Sequence, residues 1–271
     1  GARHAARAGY GVVSAGDRMR DDRGLHYGDG LFETIRFSGG HAPLWDWHMQ
    51  RLALGCRRLG LPEPDMVALL RRARRRAQVH SQSVLKVIYS AGSGPRGYAR
   101  LPQPHPRLLL FVSAYAPGAP ALRLRWCQTR LAQQPALAGI KHLNRLEQVL
   151  ARAEWRDSAI DEGLMLDTQG NAIAATAGNL FVRRGGQWLT PALDACGIAG
   201  VARRWLIAEV DAREAALTVA SIESADAVVL TNALHGPRQA VQLAQQRWHS
   251  DHEVRRLQLR WDAQFGSRVR P

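Results

Sequence analysis

Among the 37 Lys and Arg residues of this chain only two are lysines, Lys86 and Lys141. Arginine keeps its proton in a protein and cannot act as an amine nucleophile; lysine can, and a lysine that bonds covalently to a carbonyl group has no substitute. A chain so biased toward arginine therefore directs attention to the places where lysine is kept, although chance survival of two is the simpler account on composition alone. Lys86 lies in a β-rich run, SVLKVIYS, where a solvent-facing strand position explains it. Lys141 opens the stretch AGIKHLNRLEQVLARAEW, residues 138–155. After it, Leu143, Leu146, Val149, Leu150 and Ala153 follow the spacing of a helix with one buried face, which puts Lys141 at or just before a helix N-terminus.

Other residues with chemical potential are grouped along the chain. Residues 22–34, DRGLHYGDGLFET, concentrate Gly and Asp in a turn that must approach something closely before a strand begins at Glu33. Arg51 lies off the apolar stripe Met49, Leu52, Ala53, Cys56 and Leu59 of a helix whose expected N-cap is Asp46. Residues 91–98, AGSGPRGY, read as a loop carrying Arg96 and Tyr98, side chains able to meet a carboxylate. Residues 197–201, GIAGV, open a helix whose free amides form a ready anion site, or simply start a helix. Residues 227–230 form a buried strand leading into Thr231, Asn232 and Ala233.

These residues need strands and helices to hold them. A strand is expected at 10–14 and a polar loop at 15–22. Gly39 and Gly40 end the strand after Glu33, and Pro62 and Pro64 close the Arg51 helix. An Arg-rich helix follows, with Val67, Leu70, Ala73 and Ala77 as its apolar side. Two hairpins are expected, one turning at 168–171 and one at Gly185 and Gly186. The last helix is signalled by Ser250 with Glu253 as a capping box. The Pro- and Gly-rich segment beginning at Ala116 reads as a linker.

The string AGIKHLNRLEQVLARAE resembles the lysine segment of the aminodeoxychorismate lyases, a branch of the fold-type IV pyridoxal-phosphate enzymes that also include branched-chain and D-amino-acid aminotransferases. Lys141 followed three residues on by Asn144 is the group's shared pattern; the longer string is specific to the lyases. The segments DR…YGDG…FE, HMQRL, GSGPRGY, GNLF and TPALDACGIAGVARR resemble the group's other motifs in order, over about residues 22–235. The resemblance implies an α/β (α+β) protein of two domains: a smaller N-terminal α/β domain, 1–115, a linker, 116–121, and a larger C-terminal domain, 122–271, carrying the lysine. It implies pyridoxal 5′-phosphate as cofactor, held by Lys141, Arg51, Ile198, Ala199 and Thr231, with Tyr27, Arg96, Tyr98, Asn232 and Ala233 toward the substrate. It implies a homodimer with its site at the subunit boundary. The implied reaction converts aminodeoxychorismate to 4-aminobenzoate and pyruvate, with Lys141 as the catalytic residue and no metal. An aminotransferase of the same fold, or an Arg-rich nucleic-acid-binding protein without catalysis, are the other readings. One departure stands out. The group usually carries Glu five residues before the Asn of NLF, pairing with the cofactor's ring nitrogen; here that position is Ala174.

The bulk numbers agree with an enzyme. At 271 residues and 46% hydrophobic the chain can bury a large core. The formal charge of +14 raises nucleic-acid binding, but the arginines are dispersed except at 71–76, where they fit the wet face of a helix. Such charge draws in a small dianionic substrate and an anionic cofactor equally well. Cys56, Cys127 and Cys196 have no metal-like spacing and imply a reducing cytoplasm. No apolar run reaches the roughly 18 residues of a membrane span, and no secretory signal is read at the N-terminus.

Overall fold

The computed structural model describes residues 19–266. The strand expected at 10–14 and most of the loop expected at 15–22 lie outside them. Helix α1 (Arg23–Tyr27) is capped by the Asp22 carboxylate, which accepts from the Gly24 and Leu25 amides. β1 (Gly30–Ser38), α2 (Trp45–Leu59), α3 (Met66–Ala77), β2 (Gln82–Ser90) and β3 (Arg107–Ala114) follow. The three strands form an antiparallel sheet in the order β1-β2-β3. Its inner face, with Leu31, Ile35, Phe37, Leu85 and Val87, packs against Met49, Leu52 and Cys56 of α2 and Leu69, Ala73 and Ala77 of α3.

The second half holds β4 (Ala121–Trp126), α4 (Leu146–Ala153), β5 (Glu162–Leu166), β6 (Ala172–Ala175), β7 (Gly178–Arg184), β8 (Gln187–Thr190), α5 (Val201–Val210), β9 (Arg213–Glu214), α6 (Val219–Glu223), β10 (Ala227–Asn232), β11 (Gly236–Leu243), β12 (Gln246–Arg247) and α7 (His252–Ala263). Its sheet runs β10-β11-β4-β5-β6-β7-β8-β9, and β10 also pairs with β7. The run from β10 to β7 therefore closes into a barrel, which leaves those strands no bare edge. Leu124, Leu164, Leu180, Val228 and Leu230 fill one side. α5 and α7 cover another through Trp205, Leu206, Leu257 and Trp261. The β7–β8 turn uses Gly185 and Gly186 at φ 54° and 80°, as a tight hairpin of the observed twist requires.

Four local expectations are corrected. α4 begins at Leu146, five residues after Lys141, and its apolar residues face outward: Leu146, Val149 and Leu150 are 74, 58 and 60% exposed. Periodicity located the stripe but not what covers it. α2 starts two residues early, with Leu44 at the cap and Asp46 in the first turn, where its charge still opposes the positive helix end. Val67 is exposed, and α3 buries Leu69 instead. The last helix is capped by Asp251, which accepts from the Glu253 and Val254 amides, rather than by Ser250.

Candidate active site

Lys141 is presented by a strap that bonds to the small sheet on one side and to the turn before α5 on the other. On one side Gly139 is paired with the turn before α5: its N–H donates to Gly197 O at 3.0 Å, and its carbonyl accepts from Ala199 N at 2.9 Å. On the other, Phe32 N donates to Lys141 O at 2.9 Å and Leu143 N to Gly30 O at 3.0 Å, so the strap runs beside β1. The glycines of the GDG turn make room for it. A Cβ on Gly28 would lie 2.3 Å from Asn144 Oδ1, and one on Gly30 2.9 Å from Leu143 Cδ1 and 2.5 Å from Tyr89 O of β2. Asn144 in turn donates to Gly28 O at 3.3 Å, which ties the Lys-x-x-Asn spacing to the GDG turn.

The Lys141 amine lies 4.2 Å from the centre of the Phe32 ring and opens into a cavity of about 530 Å³. Burial, then the nearby Arg51 charge, pulls its pKa down to about 7 against the pull of Glu33. A lysine half-neutral at neutral pH is a usable nucleophile and base. Lys86 is exposed on β2 as expected, yet its amine lies 5.6 Å from the same Phe32 ring.

Arg51, Ile198, Thr231, Asn232 and Ala233 all line this cavity, with Phe32, Thr34, Ala174 and Asn179. Arg51 does not present a free fork. Its Nε donates to Glu33 Oε1 at 2.8 Å, its Nη2 to Glu33 Oε2 at 2.5 Å and its Nη1 to Ala199 O at 3.1 Å. The two terminal nitrogens thus keep one N–H each for a ligand. His48 braces Glu33 from behind through Nδ1, 2.7 Å from Oε2. Burial alone would raise the Glu33 pKa; the Arg51 guanidinium and the His48 bond overcome it and hold the carboxyl at about 2. Burial holds His48 below its usual value.

Ala199 is placed differently from Ile198. Its N–H goes to Gly139 and its carbonyl takes Arg51, so it joins strap to helix while Gly197, Ile198 and Gly200 face the cavity. The N-terminus of α5 carries no side-chain cap. Asn179 secures it by donating to Ile198 O at 2.7 Å, and a Cβ on Gly200 would lie 2.1 Å from Asn179 Oδ1. The Asn232 side chain is engaged in its own turn: it donates to Ala177 O and accepts from the Leu234 and His235 amides.

Tyr27, Arg96 and Tyr98 do not line this cavity. Arg23 donates to the carbonyls of Gly97, Tyr98 and Ala99, Tyr27 Oη accepts from Gly97 N, and the Tyr98 ring stands 87% exposed beside Tyr27. The loop is thus held against α1.

The cavity is cationic, with Arg51, Lys141, Arg145 and Arg152 and no carboxylate among its lining residues. Three buried polar atoms that lack a partner among the described residues belong to it: Thr231 Oγ1, Arg145 Nε and Gln148 Oε1. A buried polar atom without a partner costs about 1–3 kcal/mol, so three at one cavity mark where a polar ligand completes the structure. Sequence reading missed Arg145 and Gln148 as site residues. Their spacing, with Arg152, on one side of the helix after Lys141 was the available signal. It missed Glu33 and His48 because an 18-residue separation between Glu33 and Arg51 carries no periodic mark.

The chain belongs to the class IV aminotransferase family, whose sequence profile matches residues 30–243. Within it, the chain is similar to an aminodeoxychorismate lyase of Vibrio harveyi, 33% identical over 229 residues, 79% of this chain and 83% of that protein. The fold is similar to the crystal structure of 4-amino-4-deoxychorismate lyase from Pseudomonas aeruginosa, with TM-score 0.84 and 37% identity over 94% of this chain and 96% of that one. It also matches a branched-chain aminotransferase from Thermoproteus uzoniensis, TM-score 0.81, at 18% identity over 92% of this chain and 89% of that one, a likeness of fold.

Proposed function

We propose that the protein is a pyridoxal-phosphate-dependent lyase that converts 4-amino-4-deoxychorismate to 4-aminobenzoate and pyruvate, a step of folate biosynthesis. The observation that carries this is Lys141, with its amine pKa drawn to about 7, in a cationic cavity lined by no acid. The lyase relatives at 33 and 37% identity support the reaction class.

The residues fit the cofactor. Thr231 Oγ1, buried and unpartnered, and the uncapped start of α5 at Gly200 offer donors to a phosphate. Arg51 adds its two remaining N–H groups, and Glu33 fixes where they point. Lys141 Nζ is the nucleophile toward the cofactor's carbonyl. The same Nζ, when free, would be the base that removes the proton from the ring carbon bearing nitrogen. Pyridoxal phosphate, when bound, supplies the electron sink for this step. Loss of enolpyruvate from the neighbouring carbon leaves the aromatic ring, and enolpyruvate becomes pyruvate. Arg51→Ala is expected to weaken cofactor affinity by about one to two decades, the effect of losing a charge-assisted contact. Titration of the cofactor-free protein measures it, and unchanged affinity removes Arg51 from the site.

Ala174 lies on the cavity wall, and Glu162 is engaged by Thr176 Oγ1 and the Gly163 amide. A cofactor ring nitrogen placed toward Ala174, as the family resemblance implies, would meet no acid there, and burial would keep it uncharged. That favours a lyase, whose electrons leave with the product, over a transaminase, which must hold a carbanion until it is reprotonated. Robust 4-aminobenzoate formation with weak transamination is therefore expected, and Ala174→Glu is expected to raise transamination. Assaying the purified protein for both reactions decides: no lyase turnover with cofactor bound, or strong transamination, overturns the reading.

We read the chain as two domains divided at residues 116–121 and as a homodimer. The outward apolar face of α4, Leu146, Val149 and Leu150, is the surface a second copy would cover. The three buried free thiols suit a reducing cytoplasm.

A further inference from the structure

Arg145, Gln148, Val149 and Arg152 share one stripe of the helix and line the cavity, at the i, i+3, i+4, i+7 spacing of a single face. The two arginines differ. Arg152 is engaged: Nη1 donates to Trp155 O at 3.0 Å, and its guanidinium lies 4.5 Å from the centre of the Trp155 ring. Arg145 takes part in none of the ion pairs found among the described residues. Its neighbour Glu147 accepts from Ala132 N at 2.8 Å. The Arg145 Nη2 meets the His142 ring, and burial with the Arg145 charge pushes that imidazole's pKa to about 4. His142 is therefore neutral at pH 7 and compensates no charge. Arg145 Nε and Gln148 Oε1, one turn apart, are both buried atoms without a partner among the described residues.

Arg145 is half-buried, and the nearby Glu147 carboxylate makes no ion pair with it, so an anionic ligand at its open edge offsets the cost of taking the charge partly out of water. A guanidinium with an open edge matches the two oxygens of a carboxylate. A Gln amide turns about its last bond to offer either a donor or an acceptor beside it. We propose that Arg145 and Gln148 form a carboxylate subsite that binds one of the two carboxylates of the substrate and so sets specificity for an anionic ring compound. This rests on the lyase reading for the identity of the substrate. The recognising chemistry is the same for either carboxylate: one leaves in 4-aminobenzoate, the other in pyruvate.

The test titrates the cofactor-free protein with 4-aminobenzoate, with pyruvate and with neutral 4-aminobenzamide, alongside steady-state kinetics of the loaded enzyme. Arg145→Met is expected to weaken one of the two acids by roughly 10- to 100-fold and to raise KM by a similar factor. The amide should bind unchanged, and so should the cofactor, read from its absorbance. Arg145→Lys should recover part of the loss. Gln148→Glu keeps size and shape but places a carboxylate beside Arg145; it should abolish acid binding in a protein that still folds. Loss in the 4-aminobenzoate titration assigns the ring carboxylate; loss in the pyruvate titration assigns the other. If neither acid's binding nor KM moves in any variant, the subsite is wrong. It is equally wrong if Arg145→Met leaves KM unchanged but turns a dimer into a monomer, since Arg145 then serves the interface. Should the unmodified protein bind an acid through Arg145 yet form no 4-aminobenzoate, the reaction reading falls and the subsite stands.

Discussion

Lys141→Ala will lose covalent cofactor attachment and, with it, about four or more decades of lyase turnover, the scale seen when a unit's nucleophile is removed. Lys86→Arg will keep the attachment. The control is demanding because the two amines flank the same ring, Phe32, at 4.2 and 5.6 Å. Borohydride reduction followed by peptide mapping distinguishes them, and label on Lys86 would overturn the assignment. The pH dependence gives a second check. Lys141 has its pKa lowered from 10.5 to about 7. The rate of covalent cofactor loading should therefore rise with pH through about 7 and level off, whereas an ordinary lysine would keep gaining to above 10. The linkage sign follows. Between about 7 and 10.5 the unfolded chain binds the extra proton, so the cofactor-free protein should gain stability as pH rises through that window.

Glu33→Gln is expected to cost about 3–5 kcal/mol of stability, because it leaves Arg51 in a confined site with an amide where a carboxylate had been. Glu33 is fully buried and meets both Arg51 and His48. Its folded pKa is lowered from 4.5 to about 2. Its contribution is therefore complete above about pH 4.5 and disappears as pH falls toward about 2. Urea unfolding at pH 7 and at pH 3 measures both effects. The stability gap between the two proteins should narrow at pH 3. A loss under 1 kcal/mol at pH 7 would show that Arg51 finds other partners and that Glu33 does not fix it.

The sequence was informative where one residue type answers one physical demand. Two lysines among so many arginines directed attention to Lys141, and the Gly and Asp cluster near 30 marked a close approach, which involves Asn144 and Tyr89. Alternating and helical patterns located most strands and helices, because burial repeats every two residues or every 3.6. What was not legible depends on how partners are shared in three dimensions. Arg51 reads as a free phosphate ligand until Glu33, opposite it on β1, is seen to occupy its fork. Ala199 and Ile198 are indistinguishable in sequence, yet one is spent on Gly139 and Arg51 while the other faces the cavity. The α4 stripe looked like core because periodicity records that a face is apolar and not whether it is covered. Asp251 and Ser250 are both good caps, and the backbone turn after β12 decides between them.

The strap through Lys141 also limits how the cleft can move. Four main-chain hydrogen bonds, two toward the turn before α5 and two toward β1, tie that turn to the small sheet on either side of the reactive amine. Swinging the sheets apart would break one pair or the other and dislodge Lys141 in the same movement. At about 1 kcal/mol net for each bond, together with the apolar contacts exposed, a hinge opening on every turnover would be a poor bargain. Small molecules then reach a cavity whose lining includes α4 and the 232–234 turn without the strap being displaced. Exchange then calls for side-chain movement among lining residues such as Arg152 and Asn232 rather than for the breathing of one half against the other.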